Sequence, residues 1–257
     1  MSTPSPGVDA GRSRILGREG ERGRVLEFAR IAVGDGAPLG CISCEQPSVA
    51  SYPPASELGR AIAEAVSGFS RIPGPNVCLT GPEPFEHPEL PALVAACVQA
   101  GAQRVALETD GAALCVPANA SGILSAGVRH LHVRLLAAEE ALGDRLGGRP
   151  GRTRDASAGV NAFLSAAASA DLTVAVTAVV PVCRHNLTSL PDTVSRCAEL
   201  KMHAIRLLQG AELPSSAPAV LAAACDTGMV NGVWVEADTS LPLPVAHRVH
   251  VVEGHCD

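Results

Sequence analysis

Leu79-Thr80-Gly81-Pro82-Glu83-Pro84-Phe85-Glu86-His87-Pro88-Glu89-Leu90 marks a passage from strand to helix. Upstream, Val77-Cys78-Leu79-Thr80 is a short apolar and β-branched run of strand length. Gly81 and Pro82 break it. Downstream, Pro88 suits the first helical turn, and Glu89 suits the positive end of a helix dipole. Leu90, Leu93, Val94, Cys97 and Val98 then recur with the helical period, and Gly101 is placed to end the helix. A strand that runs into a helix through a Gly/Pro turn is the repeating half of a βαβ unit.

The same alternation extends in both directions. Strands are predicted over 25–33, 77–80, 104–108, 130–135, 172–180 and 203–208, with Ala/Leu-rich helical stretches between them. One helix is expected from about Ser56, as N-cap, through Leu58, Ile62, Val66 and Phe69. Another follows Pro191 through Val194, Cys197 and Leu200. The stretch 144–158 (DRLGGRPGRTRDASA) reads as a Gly/Arg loop within the domain. Strand–helix repeats with short links imply parallel strands and right-handed crossovers, with the chemistry collected at the C-terminal strand ends. The expected architecture is α/β, a partial (βα)6 barrel of parallel strands over 23–212. A flexible N-terminal segment (1–22) precedes it, and a short C-terminal extension of helix and strand (213–257) follows.

Composition narrows the function classes. The chain has 257 residues, 47% hydrophobic and 18% charged, which suits a globular fold with a substantial core. Aromatics are only 2%, so Ala, Val and Leu must fill that core. The net charge of −6 argues against a general phosphate-binding surface, so no nucleic-acid partner is expected. No apolar run approaches the ~20 residues of a membrane span, and the polar N-terminus lacks a signal-peptide core, so a cytoplasmic location is expected. Nothing matches a nucleophile elbow, a phosphate-binding loop or a zinc-protease helix.

Five segments fall just after predicted strands. They are the loop Gly34-Asp35-Gly36-Ala37-Pro38-Leu39-Gly40-Cys41-Ile42-Ser43-Cys44, the Gly81-Pro82-Glu83 turn, Glu108-Thr109-Asp110-Gly111, the run from Asp144 to Gly151, and Arg184-His185-Asn186-Leu187. In this order and at these places the set resembles the radical S-adenosylmethionine (SAM) superfamily across about residues 25–210. Thr80-Gly81-Pro82-Glu83-Pro84 is similar to that family's Gly-Gly-Glu-Pro segment, and Thr109-Asp110-Gly111 to its Thr-Asn-Gly turn. The resemblance implies a four-iron cluster (4Fe-4S) and SAM as cofactors, with a radical abstracting a substrate hydrogen. It implies that Cys41 and Cys44 ligate iron. It places Glu83 at the SAM amino group, Gly81 and Pro82 in the same cofactor-binding turn, and Arg134 near the SAM carboxylate.

The cluster loop departs from the family pattern C-x3-C-x2-C. Cys41 and Cys44 match its second and third cysteines, but the first falls on Ala37, whose methyl cannot ligate iron. Ser43 stands where an aromatic is often found, and Pro82 replaces the second glycine, removing an N–H and fixing φ. A stand-in ligand would have to come from Asp35, from a cysteine at another strand end (Cys115, Cys183), or from a partner chain. Two readings stay open at this level: a radical SAM enzyme with a substitute ligand, and a non-catalytic scaffold or partner-binding protein of the same fold. A third is a two-cysteine site for another metal.

The remaining candidates have plainer explanations. His130, His132 and Arg134 alternate along one strand and so share a face, which is either barrel interior or solvent. Thr109 and Asp110 suit a turn with Gly111. Cys78, Cys97, Cys115, Cys183, Cys197 and Cys225 sit in apolar runs, where a free cysteine acts as a small hydrophobe. His247, His250, His255 and Cys256 follow no zinc-ligand spacing.

Overall fold

The computed structural model describes residues 8–9, 28–35, 51–68, 75–210, 213–238, 241–242 and 251–252. The expected cluster loop, with Ala37, Cys41, Ser43 and Cys44, lies outside the described residues, as do Phe69 and all of the expected flexible segment 1–22 except Val8–Asp9.

Among the described residues nine strands form one sheet in sequence order: β1 (Val8–Asp9), β2 (Phe28–Ala32), β3 (Asn76–Thr80), β4 (Arg104–Thr109), β5 (Val128–Arg134), β6 (Ala175–Val182), β7 (Ala204–Gln209), β8 (Trp234–Asp238) and β9 (Val251–Val252). β1 pairs antiparallel with β2, and every later pair is parallel. The six predicted strands are β2 to β7. β8, from the C-terminal extension, continues the same sheet against β7. Seven parallel strands, β2 to β8, curl into a half-barrel.

Among the described residues seven α-helices cover the outer face: α1 (Ala55–Gly68), α2 (Leu90–Gln99), α3 (Pro117–Ala126), α4 (Glu140–Gly147), α5 (Arg152–Ser169), α6 (Leu190–Glu199) and α7 (Ala217–Asn231). The period of two along each strand divides the residues between the faces. Val77, Leu79, Val105, Leu107, Leu131, Val133, Ile205 and Leu207 point outward into one core with Leu58, Leu93, Phe163 and Val194 of the helices. The alternate positions carry Arg30, Cys78, Glu108, His132, Arg206 and Glu236 on the concave side. A parallel sheet buried by helices on both faces would be apolar throughout. This one keeps an ionic inner face, as a half-barrel with its site inside requires.

Four local expectations are corrected. The stretch 144–158 is the end of α4, a tight turn and the start of α5. Asp144 makes the turn, its carboxylate accepting from the backbone N–H of Gly151 (2.5 Å) and Thr153 (2.9 Å), while Gly148 and Gly151 take left-handed φ of 66° and 76°. Side-chain acceptors for two otherwise orphan N–H groups outweigh the loop-like composition. Ser56 lies inside α1, which begins at Ala55 behind Pro53-Pro54. Val98 follows the helical period but is 48% exposed, on the rim of the apolar stripe. Cys115 is exposed, not packed among apolar neighbours.

Candidate cofactor site at the strand ends

β3 ends at Thr80, and the chain turns at Gly81 with φ of 129°, a conformation that favours glycine. Glu83 returns to extended backbone ahead of the one-turn 3-10 helix Pro84–Glu86. Its side chain points back into the barrel and is buried. One carboxylate oxygen accepts from Thr109 Oγ1 (2.7 Å) and from the Phe85 N–H (3.2 Å). The other accepts from the Asp110 N–H (2.8 Å) and from Arg134 Nη2 (3.3 Å). Burial pushes the Glu83 carboxyl up, and Arg134 and these donors pull against it.

Arg134, the last residue of β5, reaches across the strand ends. Its Nη1 donates to Gly81 O (3.2 Å) and its Nη2 to Pro82 O (2.8 Å). The buried Arg134 side chain thus ties together Gly81, Pro82 and Glu83, all named by the sequence. Its Nε is buried with no hydrogen-bond partner among the described residues.

The strand-end turns are fastened from outside. Tyr52 OH donates to Glu83 O (3.1 Å) and to a Glu86 carboxylate oxygen (2.9 Å), and burial with the Glu86 charge raises its pKa to about 12. His87 accepts the Glu89 N–H at Nδ1 (3.0 Å), which leaves Nε2 to donate to Pro53 O (2.9 Å). Asn186, in the Arg184–Leu187 segment, accepts the Cys183 N–H (2.9 Å) and donates to Leu136 O (3.0 Å) and Pro181 O (2.9 Å).

Below this layer lies a second one. Arg30 Nη2 pairs with Glu108 (2.7 Å), and Arg206 Nε with Glu236 (2.9 Å). His132 shares this inner face with Arg134, which settles the strand-five triplet as barrel interior; His130 is half-buried beside it. Cys78, Glu108 and His132 offer three ligand atoms within 4.8 Å of one another. The local field opposes a divalent cation there. Arg30 already holds Glu108, Arg206 lies near enough to press the His132 pKa well down beyond the effect of burial, and burial pushes the Cys78 thiol up to about 12.

The cluster ligands expected at Cys41 and Cys44 lie outside the described residues. Of the suggested substitutes, Asp35 lies beside the Glu83 turn, since its neighbour Gly34 packs against Gly81, while the two cysteines are engaged elsewhere. Cys183 is buried with Leu136, Ala137, Leu142 and Leu146, Cys115 donates its thiol to Asp155 O on α5 (3.4 Å), and Asp35 pairs through its backbone with Ser51. The SAM ammonium expected at Glu83 is not matched by the residues present. A guanidinium of the same charge already holds Gly81 O, Pro82 O and the carboxylate.

Beside Glu83 a cleft of about 540 Å³ opens, lined by Glu83, Phe85, Asp110, Gly148, Arg149 and Arg152 among others. The sequence pointed to Glu83 and Arg134 but read Thr109 only as a turn residue. It also missed Arg30, Glu108, Arg206 and Glu236. Their signal was a charge at alternate positions of otherwise apolar strands.

No family model matches the chain, and no curated protein matches it either. Solved structures do match. SuiB of Streptococcus suis bound to S-adenosylmethionine superposes with a TM-score of 0.63 at 12% identity, over 83% of this chain and 51% of SuiB. Native anSMEcpe with bound AdoMet and the Kp18Cys peptide gives 0.59 at 11% identity, over 80% and 63%. The radical SAM methyltransferase TsrM from Kitasatospora setae, with cobalamin and a [4Fe-4S] cluster bound, gives 0.51 at 13%, over 78% and 41%. The chain spans about half the length of SuiB. The fold is that of radical SAM enzymes.

Proposed function

We propose that this chain is a non-catalytic counterpart of radical SAM enzymes, a half-barrel that no longer generates a radical and binds a polypeptide partner at its strand-end mouth. One observation carries the loss of catalysis, the fate of the third cluster ligand. Iron–sulfur clusters are held by several protein thiolates, and Ala37 offers no electron pair where the resemblance calls for the first. Cys183 is enclosed in an apolar cluster, and the exposed Cys115 turns its thiol to Asp155 O on α5. A polypeptide partner is supported by two structural neighbours of the same fold, SuiB bound to its precursor peptide SuiA and anSMEcpe bound to a peptide. The cleft beside Glu83 is mostly apolar and carries Glu86, Asp110 and Arg149 on its lining, a mixed surface suited to a peptide.

A second reading is favoured by Cys41 and Cys44, which keep the spacing of two cluster ligands. In it, a substitute ligand within the chain, Asp35 among the candidates, completes the cluster, and Gly81, Pro82, Glu83 and Arg134 hold SAM. Anaerobic iron–sulfur reconstitution of the unmodified protein beside Ala37→Cys separates the two. The unmodified protein should retain less than about one iron per chain and form no 5′-deoxyadenosine from SAM, while Ala37→Cys gains iron and sulfide. About four irons in the unmodified protein, with an EPR signal that SAM alters, would give the site to the second reading.

A further inference from the structure

The resemblance puts the SAM ammonium at the Glu83 carboxylate, in the cofactor-binding turn that also presents the Gly81 and Pro82 carbonyls, three acceptors on one side of Arg134. An ammonium brings one positive charge and three N–H donors. In this chain one positive charge already meets those three acceptors: Arg134 donates to Gly81 O (3.2 Å), Pro82 O (2.8 Å) and Glu83 Oε2 (3.3 Å). We propose that Arg134 is a resident substitute for the ligand's ammonium, so that the Glu83 site is liganded from within and closed to SAM. The inference extends the proposed function and takes from it the identity of the site, but it stands on Arg134 and not on Ala37.

Three features support it. First, the rest of the Glu83 carboxylate is engaged by Thr109 Oγ1 and the N–H groups of Phe85 and Asp110, so no lone-pair direction is held open for a ligand. Second, an arginine that served a bound carboxylate would keep its bidentate edge free for it. Here both Nη atoms donate to protein acceptors, Nη2 to two of them, and Nε, the atom without a partner among the described residues, cannot form a bidentate pair by itself. Third, Arg134 is buried and springs from the end of a central strand, so its geometry is set by the sheet and not by the arrival of a ligand. A second cation at this turn would face like charge where little water screens it. The turn that a ligand would otherwise order is therefore held in its final form by the protein itself.

Equilibrium dialysis against labelled SAM tests this on the unmodified protein, which should retain none at about 1 mM ligand. Saturable micromolar binding that Glu83→Gln abolishes would overturn the inference. Arg134→Met should lower Tm by about 5–10 °C, because Glu83 is left buried without its cation, and millimolar ethylguanidinium should restore part of the loss. An unchanged Tm would overturn the inference as well. If Arg134→Met does not fold, Arg134→Lys keeps the charge and should fold and still exclude SAM. A SAM-binding Arg134→Lys counts against the proposal. The two proposals fail separately. About four irons in the unmodified protein with no retained SAM would remove the Ala37 argument and leave this inference standing, and retained SAM without iron would sink this one alone.

Discussion

Glu108 shows how the inner face is held. Burial alone would raise its carboxyl, but the guanidinium of Arg30 at 2.7 Å, with the charge of Arg134 behind it, outweighs burial and holds the pKa at about 2. A carboxyl depressed on folding contributes stability that is fully present above its unfolded value near 4.5 and is lost as the pH falls toward 2. The shift corresponds to about 3 kcal/mol. Glu108→Gln should therefore lose about 2–3 kcal/mol at neutral pH, and between pH 4.5 and 2.5 its Tm should fall less steeply than that of the parent. Parallel Tm curves for the two proteins would refute that role. The window is distinct from that of His130, whose pKa is lowered by burial to about 4, so that its burial becomes a growing penalty as the pH falls from 6.5 to 4. At this scale the sequence shows the turn residues and not the pairs. Glu83 was legible because it sits in a motif of consecutive residues, Gly81 to Pro84. Arg30–Glu108 and Arg206–Glu236 join different strands, and only the register of the sheet brings them together.

Helix α5 explains why a Gly/Arg-rich stretch is not a loop. Asp144 supplies the acceptors that start the helix, and Gly159 then lets its backbone lie against the Thr109-Asp110-Gly111 turn. A Cβ at Gly159 would collide with Gly111 O, and one at Gly111, whose φ is 85°, would meet Ala156 Cα at 3.1 Å. These backbone contacts brace the turn whose Thr109 and Asp110 hold Glu83. Gly159→Ala should cost about 1–3 kcal/mol in urea unfolding, although alanine is the better helix former. Gly122 in α3 has nothing within 4 Å of an added Cβ. Gly122→Ala should be neutral or stabilising by up to about 1 kcal/mol. If both substitutions stabilise, α5 is not packed on the turn. The strands were legible because β-branched runs and helical periods alternate along the chain. The α4–α5 corner was not, because its cause is one carboxylate reaching seven and nine residues forward to Gly151 and Thr153.

At the scale of the molecule, the repeat of strand and helix was enough to indicate a parallel sheet with its site at the strand ends. It was not enough to show where that sheet stops. Residues 213–257 read as an extension because the motifs end before them. The structure nevertheless seats β8 parallel to β7 through Ala204–Trp234, Ile205–Val235, Arg206–Glu236 and Leu207–Ala237. Helix α7 packs on α6, and Gly228 lies so close to Val235 and the carbonyl of Val233 that no side chain fits between them. Val233, Val235, Leu221 and Ala224 belong to the same core as the barrel helices. The Arg206–Glu236 pair is almost wholly shielded from water, and losing one member of such a pair strands the other charge in the interior. Removing residues 213–257 would expose this part of the core and leave Arg206 without Glu236. The truncated chain should lose cooperative thermal unfolding or melt at least about 10 °C lower. A chain ending at 212 that unfolds cooperatively within about 3 °C of the parent would make the extension an appendage. Otherwise the strand-end turns, Glu83 and Arg134 among them, depend on a sheet that runs past the recognisable motifs. Partner binding at the mouth should then be assayed on the whole chain.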